Sequence, residues 1–141
     1  MKILYGSVWR RYVYDNGKIQ KVSDKNEDLS FRFEQEGFDD LLRKLPSDWE
    51  PDIVLFESPE YHTIPLGIES SPYPTVAIVG DWNLCFINIR DNLKRFDWIV
   101  TDKAGVKVFQ QAGYKNVDYF PMYGFEPSIH HRIEGIERTL D

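Results

Sequence analysis

The amino-acid sequence predicts an α/β fold, a three-layer Rossmann-like sandwich on a mainly parallel sheet of about five strands, with a β-hairpin inserted near the N-terminus. Three observations predict it. Short runs rich in Val, Ile and aromatic residues recur without the in/out alternation of a half-solvated strand. Segments with apolar residues at helical spacing follow them. The two patterns alternate along the chain, which calls for βαβ crossovers and parallel pairing.

The strand-like runs are KILY (2–5), DIVLF (52–56), TVAIV (75–79), DWIV (97–100) and VDYF (117–120). Between them, Phe38, Leu41, Leu42 and Leu45 fall at i, i+3, i+4 and i+7, and Trp82, Phe86, Ile89 and Leu93 keep similar spacing. Val108, Phe109 and Ala112 form a third stripe, with Gly113 placed to end it in a left-handed cap. One segment breaks the rhythm: in RYVYDNGKIQKV (11–22), Asp15-Asn16-Gly17 separates two strand-like arms, a strong hairpin signal. The charged run 23–29 reads as a solvated loop, and Pro51 ends the helix-to-strand connection.

Composition bounds the partners. The 141 residues, 42% hydrophobic and 15% aromatic, suffice for one core, so a single domain over 1–141 is expected. A net charge of −6 argues against nucleic acid or an anionic membrane surface, since both need clustered Lys and Arg. No apolar stretch approaches the roughly 20 residues of a spanning helix. Cys85 is the only cysteine, which excludes an intramolecular disulfide and points to a reducing, cytoplasmic compartment.

In open α/β sheets, ligands bind outside the carboxyl ends of the strands, where connections diverge to opposite faces. That rule gathers Gly6-Ser7, Glu57-Ser58 with Tyr61-His62, Gly80-Asp81-Trp82-Asn83 and Thr101-Asp102-Lys103 on one rim. Asp81 carries two readings: a helix N-cap, whose carboxylate accepts free backbone N–H groups, or a rim carboxylate that takes a proton from a hydroxylated ligand. Asp102 has the same pair of readings. His62 is the second candidate for acid–base work, because histidine is the one common side chain whose ordinary pKa lies near neutral pH. Ser58 lacks the G-x-S-x-G elbow of a hydrolase nucleophile, and one glycine after the first strand is too few for a dinucleotide loop. His130-His131 has no metal-ligand spacing, and no metal is required.

In order, PDIVLFESPEY, YPTVAIVGDWN, RFDWIVTDKAGVKVFQQAGYKNVDYFP and GFEPSIHH resemble the N-terminal domain of two-domain GT-B glycosyltransferases, particularly the CgeB-type, spore-maturation-like group. The resemblance runs from about Pro51 to His131 and rests on Pro51-Asp52, Asp81 with a polar residue two positions on, Phe96-Asp97, Gly105, Gly113, Asn116-Val117 and Pro121. It implies that this domain forms the acceptor side of a cleft. A C-terminal donor-binding domain of the same parent chain would hold the nucleotide-sugar donor, a co-substrate rather than a resident cofactor. Asp81 would be base or orienting carboxylate, with His62 next. Ser7, Ser58, Tyr61, Asn83 and Asp102 would bind an acceptor glycan or other hydroxylated substrate, and Trp82 would pack on a sugar face. The chain departs from the pattern at Gly6-Ser7-Val8-Trp9, where many such enzymes have a glycine-rich loop, and at Asn83, where some relatives are expected to have His. Residues 121–141 turn charged, show no further helix, and are expected to lead out towards the donor domain, so that these 141 residues fold alone but transfer nothing. The rival expectation is a non-catalytic flavodoxin-like or receiver-like interaction module.

Overall fold

The computed structural model describes residues 1–22 and 29–121. In chain order the elements are β1 (Lys2–Gly6), β2 (Arg10–Asp15), β3 (Lys18–Lys21), α1 (Phe38–Arg43), β4 (Ile53–Glu57), β5 (Thr75–Ile78), α2 (Trp82–Leu93), β6 (Trp98–Thr101), α3 (Lys103–Gln111) and β7 (Val117–Tyr119). All seven strands join one mixed sheet in the order β3-β2-β1-β4-β5-β6-β7. The five strands β1, β4, β5, β6 and β7 pair in parallel, as the apolar runs predict.

The hairpin is not an appendage. β2 pairs antiparallel with β1 and β3 with β2, so it lengthens the sheet from five strands to seven. Its turn follows from Asn16 (φ 48°) and Gly17 (φ 79°), both in the left-handed region that a two-residue type I′ turn demands.

The register separates two faces. Leu4 lies beside Val54, Val54 beside Thr75, Phe56 beside Ala77, Ala77 beside Ile99 and Ile99 beside Val117. All are buried on one face, under Phe38 and Leu41 of α1, Ile89 and Leu93 of α2 and Phe109 of α3. Ring contacts run through this layer from Phe38 to Trp9 (5.9 Å), Trp9 to Phe56 (5.7 Å) and Phe56 to Phe96 (5.8 Å). Of the alternate residues, Ile3 is buried, Tyr5, Leu55, Val76, Ile78 and Val100 are only half-buried and Trp98 is exposed, and none of them belongs to that core.

The described residues therefore form two layers, where three were expected. Strand order gives the reason: crossovers of one hand between strands laid down in a single direction all return over the same face. The pattern of apolar runs correctly marks parallel strands, but it implies cover on both faces where the structure covers one, and it is silent about strand order. A further difference is the β4–β5 connection, which has no α-helix, only a 3-10 turn at Ile68–Ser70. Arg95 fastens it, donating to the Pro65 carbonyl (2.6 Å) and to Glu69 (2.9 Å).

Several residues of the family-like pattern have local structural work. Asp52 accepts the Lys2 backbone N–H (2.6 Å), tying β4 to β1. Asp97 accepts both the backbone N–H (2.8 Å) and the hydroxyl (3.0 Å) of Thr75, and Asn116 donates to the Asp97 carbonyl (2.9 Å). Gly113 has φ 92°, the left-handed conformation expected after α3.

Candidate functional site

The carboxyl ends of β1, β4, β5 and β6 share one rim, but the expected divergence of connections to opposite faces is not found, because the crossovers between these strands return over one face. A belt of hydrogen bonds joins the β4 and β5 ends, with a second pairing at the end of β6. After β4 the chain turns at Ser58, whose φ of 51° is an uncommon left-handed conformation for a side-chain-bearing residue. The Ser58 N–H still bonds the Ile78 carbonyl (2.9 Å), and the Tyr61 N–H bonds the Ser58 carbonyl (3.0 Å). This tight turn brings Glu60 and Tyr61 over the end of β5.

Glu60 Oε1 accepts two consecutive backbone N–H groups, Gly80 (2.8 Å) and Asp81 (2.7 Å). Its Oε2 is inaccessible and meets no donor among the described residues. Glu60 was not among the residues singled out from sequence. The signal that would have found it is a strand end whose two consecutive N–H groups need an acceptor before a helix can begin.

Asp81 occupies the N-cap position of α2, but its side chain makes no capping hydrogen bond. Its Oδ2 instead accepts the Tyr61 hydroxyl at 2.5 Å. The capping reading of Asp81 is thereby corrected: Tyr61 competes for the carboxylate and draws it away from the helix. This hydrogen bond, with some desolvation and the Asp81 charge, raises the Tyr61 phenol well above its ordinary range, because the neutral hydroxyl is the form that can donate.

Asp102 is the helix cap. Its Oδ1 accepts the Gly105 N–H at 2.6 Å and its Oδ2 accepts the Trp82 indole N–H at 3.2 Å. The Gly105 bond is the main reason its carboxyl lies below the usual range. Trp82 is half-buried, packed against the core and against Gly105. Asn83 is exposed in the first turn of α2.

Ser7, Tyr61 and His62 line one open cavity of about 450 Å³ beside this belt. Tyr61 belongs to both, so it links the cavity wall to the Asp81 carboxylate. The structure thus brings together four of the sequence-derived candidates, Ser7, Tyr61, His62 and Asp81, and pairs two more, Trp82 with Asp102. His130 and His131 lie outside the described residues. Among those described, no cluster of three or more His, Cys, Asp or Glu side chains is placed to hold a metal ion. No helix among them is long and apolar enough to cross a membrane.

The arrangement offers a carboxylate held by one neutral donor, next to a cavity with hydroxyl and imidazole groups. Such a carboxylate can orient a hydroxyl or accept its proton. Compared with family models, with curated proteins and with solved structures, the chain matches none.

Proposed function

We propose that this chain is the acceptor-side domain of a two-domain GT-B glycosyltransferase, as the ordered CgeB-type resemblance implies. The observation that carries the proposal is the Asp81 carboxylate, released from capping duty and held by Tyr61 at 2.5 Å beside an open cavity. In the proposed reaction an acceptor hydroxyl gives its proton to Asp81 as its oxygen bonds the anomeric carbon of the donor. The bond from that carbon to the phosphate oxygen breaks, and the nucleoside diphosphate leaves with the electron pair. Ser7, Ser58 and Asn83 would contact acceptor hydroxyls, with His62 the alternate base. The belt through Glu60 and Tyr61 keeps the carboxylate in place.

The nucleotide sugar would bind chiefly to a second domain, because this rim presents Glu57, Asp81 and Asp102 and no phosphate loop. In the fuller Rossmann-like sandwich that this reading assumes, the half-buried face bearing Leu55, Val76 and Trp98 is a packing surface. The flavodoxin-like or receiver-like alternative gains no support from strand order. The doubly wound folds behind both readings place parallel strands on either side of the first, whereas β4 to β7 all lie on one side of β1, so strand order favours neither and the reading rests on the Asp81 rim.

The test is Asp81→Asn in the parent chain. Loss of a general base lowers kcat by about a hundredfold or more, while the urea midpoint stays near that of the unsubstituted protein. Unchanged turnover would remove Asp81 from the chemistry and the proposal with it.

A further inference from the structure

The cavity beside Asp81 has a composition that selects among ligands. Its hydroxyls come from Ser7, Ser30 and Thr63, and His62 adds an imidazole. Its apolar surface comes from Phe31, Phe33 and Tyr61, with Trp9 beneath. Phe33 is 55% exposed and Tyr61 58%, while Trp9 is 2% exposed. No Lys, Arg, Asp or Glu side chain is among the described residues that line it.

We infer that this cavity is a binding site for a small uncharged polyhydroxylated ligand, a neutral saccharide, and that it selects against phosphorylated or carboxylated ones. The inference rests on the acceptor-side reading above and specifies what the acceptor is. Three physical reasons support it. An anionic ligand needs a cationic partner or an array of free backbone N–H groups. The described lining residues include no Lys or Arg, and the adjacent pair of N–H groups on Gly80 and Asp81 is already taken by Glu60. The neighbouring carboxylates of Asp81 and Glu60 would repel an anion further. A purely apolar ligand would displace water from the hydroxyls of Ser7, Ser30 and Thr63 without replacing its hydrogen bonds. A saccharide satisfies both halves, since its hydroxyls pair with those groups and its C–H faces lie on the electron-rich faces of exposed aromatic rings. The volume, about 450 Å³, is within the usual range for small-molecule sites of about 300–1,000 Å³.

The experiment titrates the 141-residue chain with neutral disaccharides (maltose, cellobiose, lactose), with glucose 6-phosphate and with UDP, following tryptophan fluorescence. Trp9, at the cavity floor, is the reporter. At least one neutral disaccharide should bind saturably, and glucose 6-phosphate and UDP about tenfold or more weaker. Phe33→Ala and Tyr61→Ala should each weaken the disaccharide by about tenfold, the loss of one ring contact, whereas Tyr14→Ala, an exposed ring on β2, should leave it unchanged. Equal or tighter binding of the phosphorylated probes overturns the inference. So does binding indifferent to Phe33 and Tyr61, or no binding of any disaccharide. Failure of the two readings is separable: transfer by the parent chain that persists in Phe33→Ala sinks the cavity assignment and leaves the transferase, while saccharide binding without transfer does the reverse.

Discussion

Gly105→Ala sets two effects of opposite sign against each other. In an exposed helix the change stabilises by about 1 kcal/mol, because glycine has more backbone entropy to lose. In α3 the new Cβ would lie 2.6 Å from Thr101 Oγ1, 2.8 Å from Thr101 Cγ2 and 2.8 Å from Trp82 Cδ1, where 3.4 to 4 Å is ordinary contact. Thr101 cannot give way cheaply: it is fully buried, and its hydroxyl donates to the Val79 carbonyl at 2.8 Å. Overpacking of this kind costs about 1–3 kcal/mol or more, and loss of the Thr101 hydrogen bond adds about 1 kcal/mol. The net expectation is a loss of about 1–3 kcal/mol, or a Tm lower by about 3–10 °C for a domain of this length. Thermal and urea unfolding, followed by circular dichroism and tryptophan fluorescence, measures it. A double-mutant cycle with Thr101→Ala should show coupling, the threonine truncation costing less in the Gly105→Ala background than alone. If Gly105→Ala raises the Tm, helix propensity wins and the close approach of α3 to β6 and Trp82 does not set the fold here.

The two strand-end aspartates should separate cleanly in urea unfolding at neutral pH: Asp102→Ala loses a helix cap at about 1 kcal/mol, whereas Asp81→Ala, with no capping bond to lose, leaves the midpoint nearly unchanged. Asp102 also predicts an acid dependence. Its folded pKa is depressed, so its contribution is present above the unfolded value near about 4 and is lost as pH falls through the folded value; Asp102→Asn should flatten the fall in urea midpoint below about pH 4. For Tyr61, ring resonances followed by NMR should show deprotonation at higher pH than a free tyrosine, and Asp81→Asn should move that titration down. An unshifted Tyr61 would refute the hydrogen bond that holds Asp81.

Much of the scaffold was legible in the sequence because it depends on local chemistry. Asn16-Gly17 carries its own preference for left-handed φ, so the hairpin could be read residue by residue. The runs at 52–56, 75–79 and 97–100 are apolar on both parities, and each became a parallel strand. Asp102 in front of α3 behaved as a cap for the same local reason. Strand order was not legible, because it depends on which way each crossover returns. That choice left Leu55, Val76 and Trp98 on a half-buried face where a three-layer sandwich would have covered them. The setting of the Asp81 carboxylate was likewise decided by a tertiary contact. Sequence placed a carboxylate at the start of α2, but only the turn at Ser58 brings Tyr61, twenty residues earlier, within 2.5 Å of it, and Glu60 onto the backbone N–H groups of Gly80 and Asp81. A side chain's local preference is worth about 1 kcal/mol, and one well-placed tertiary donor is enough to redirect it.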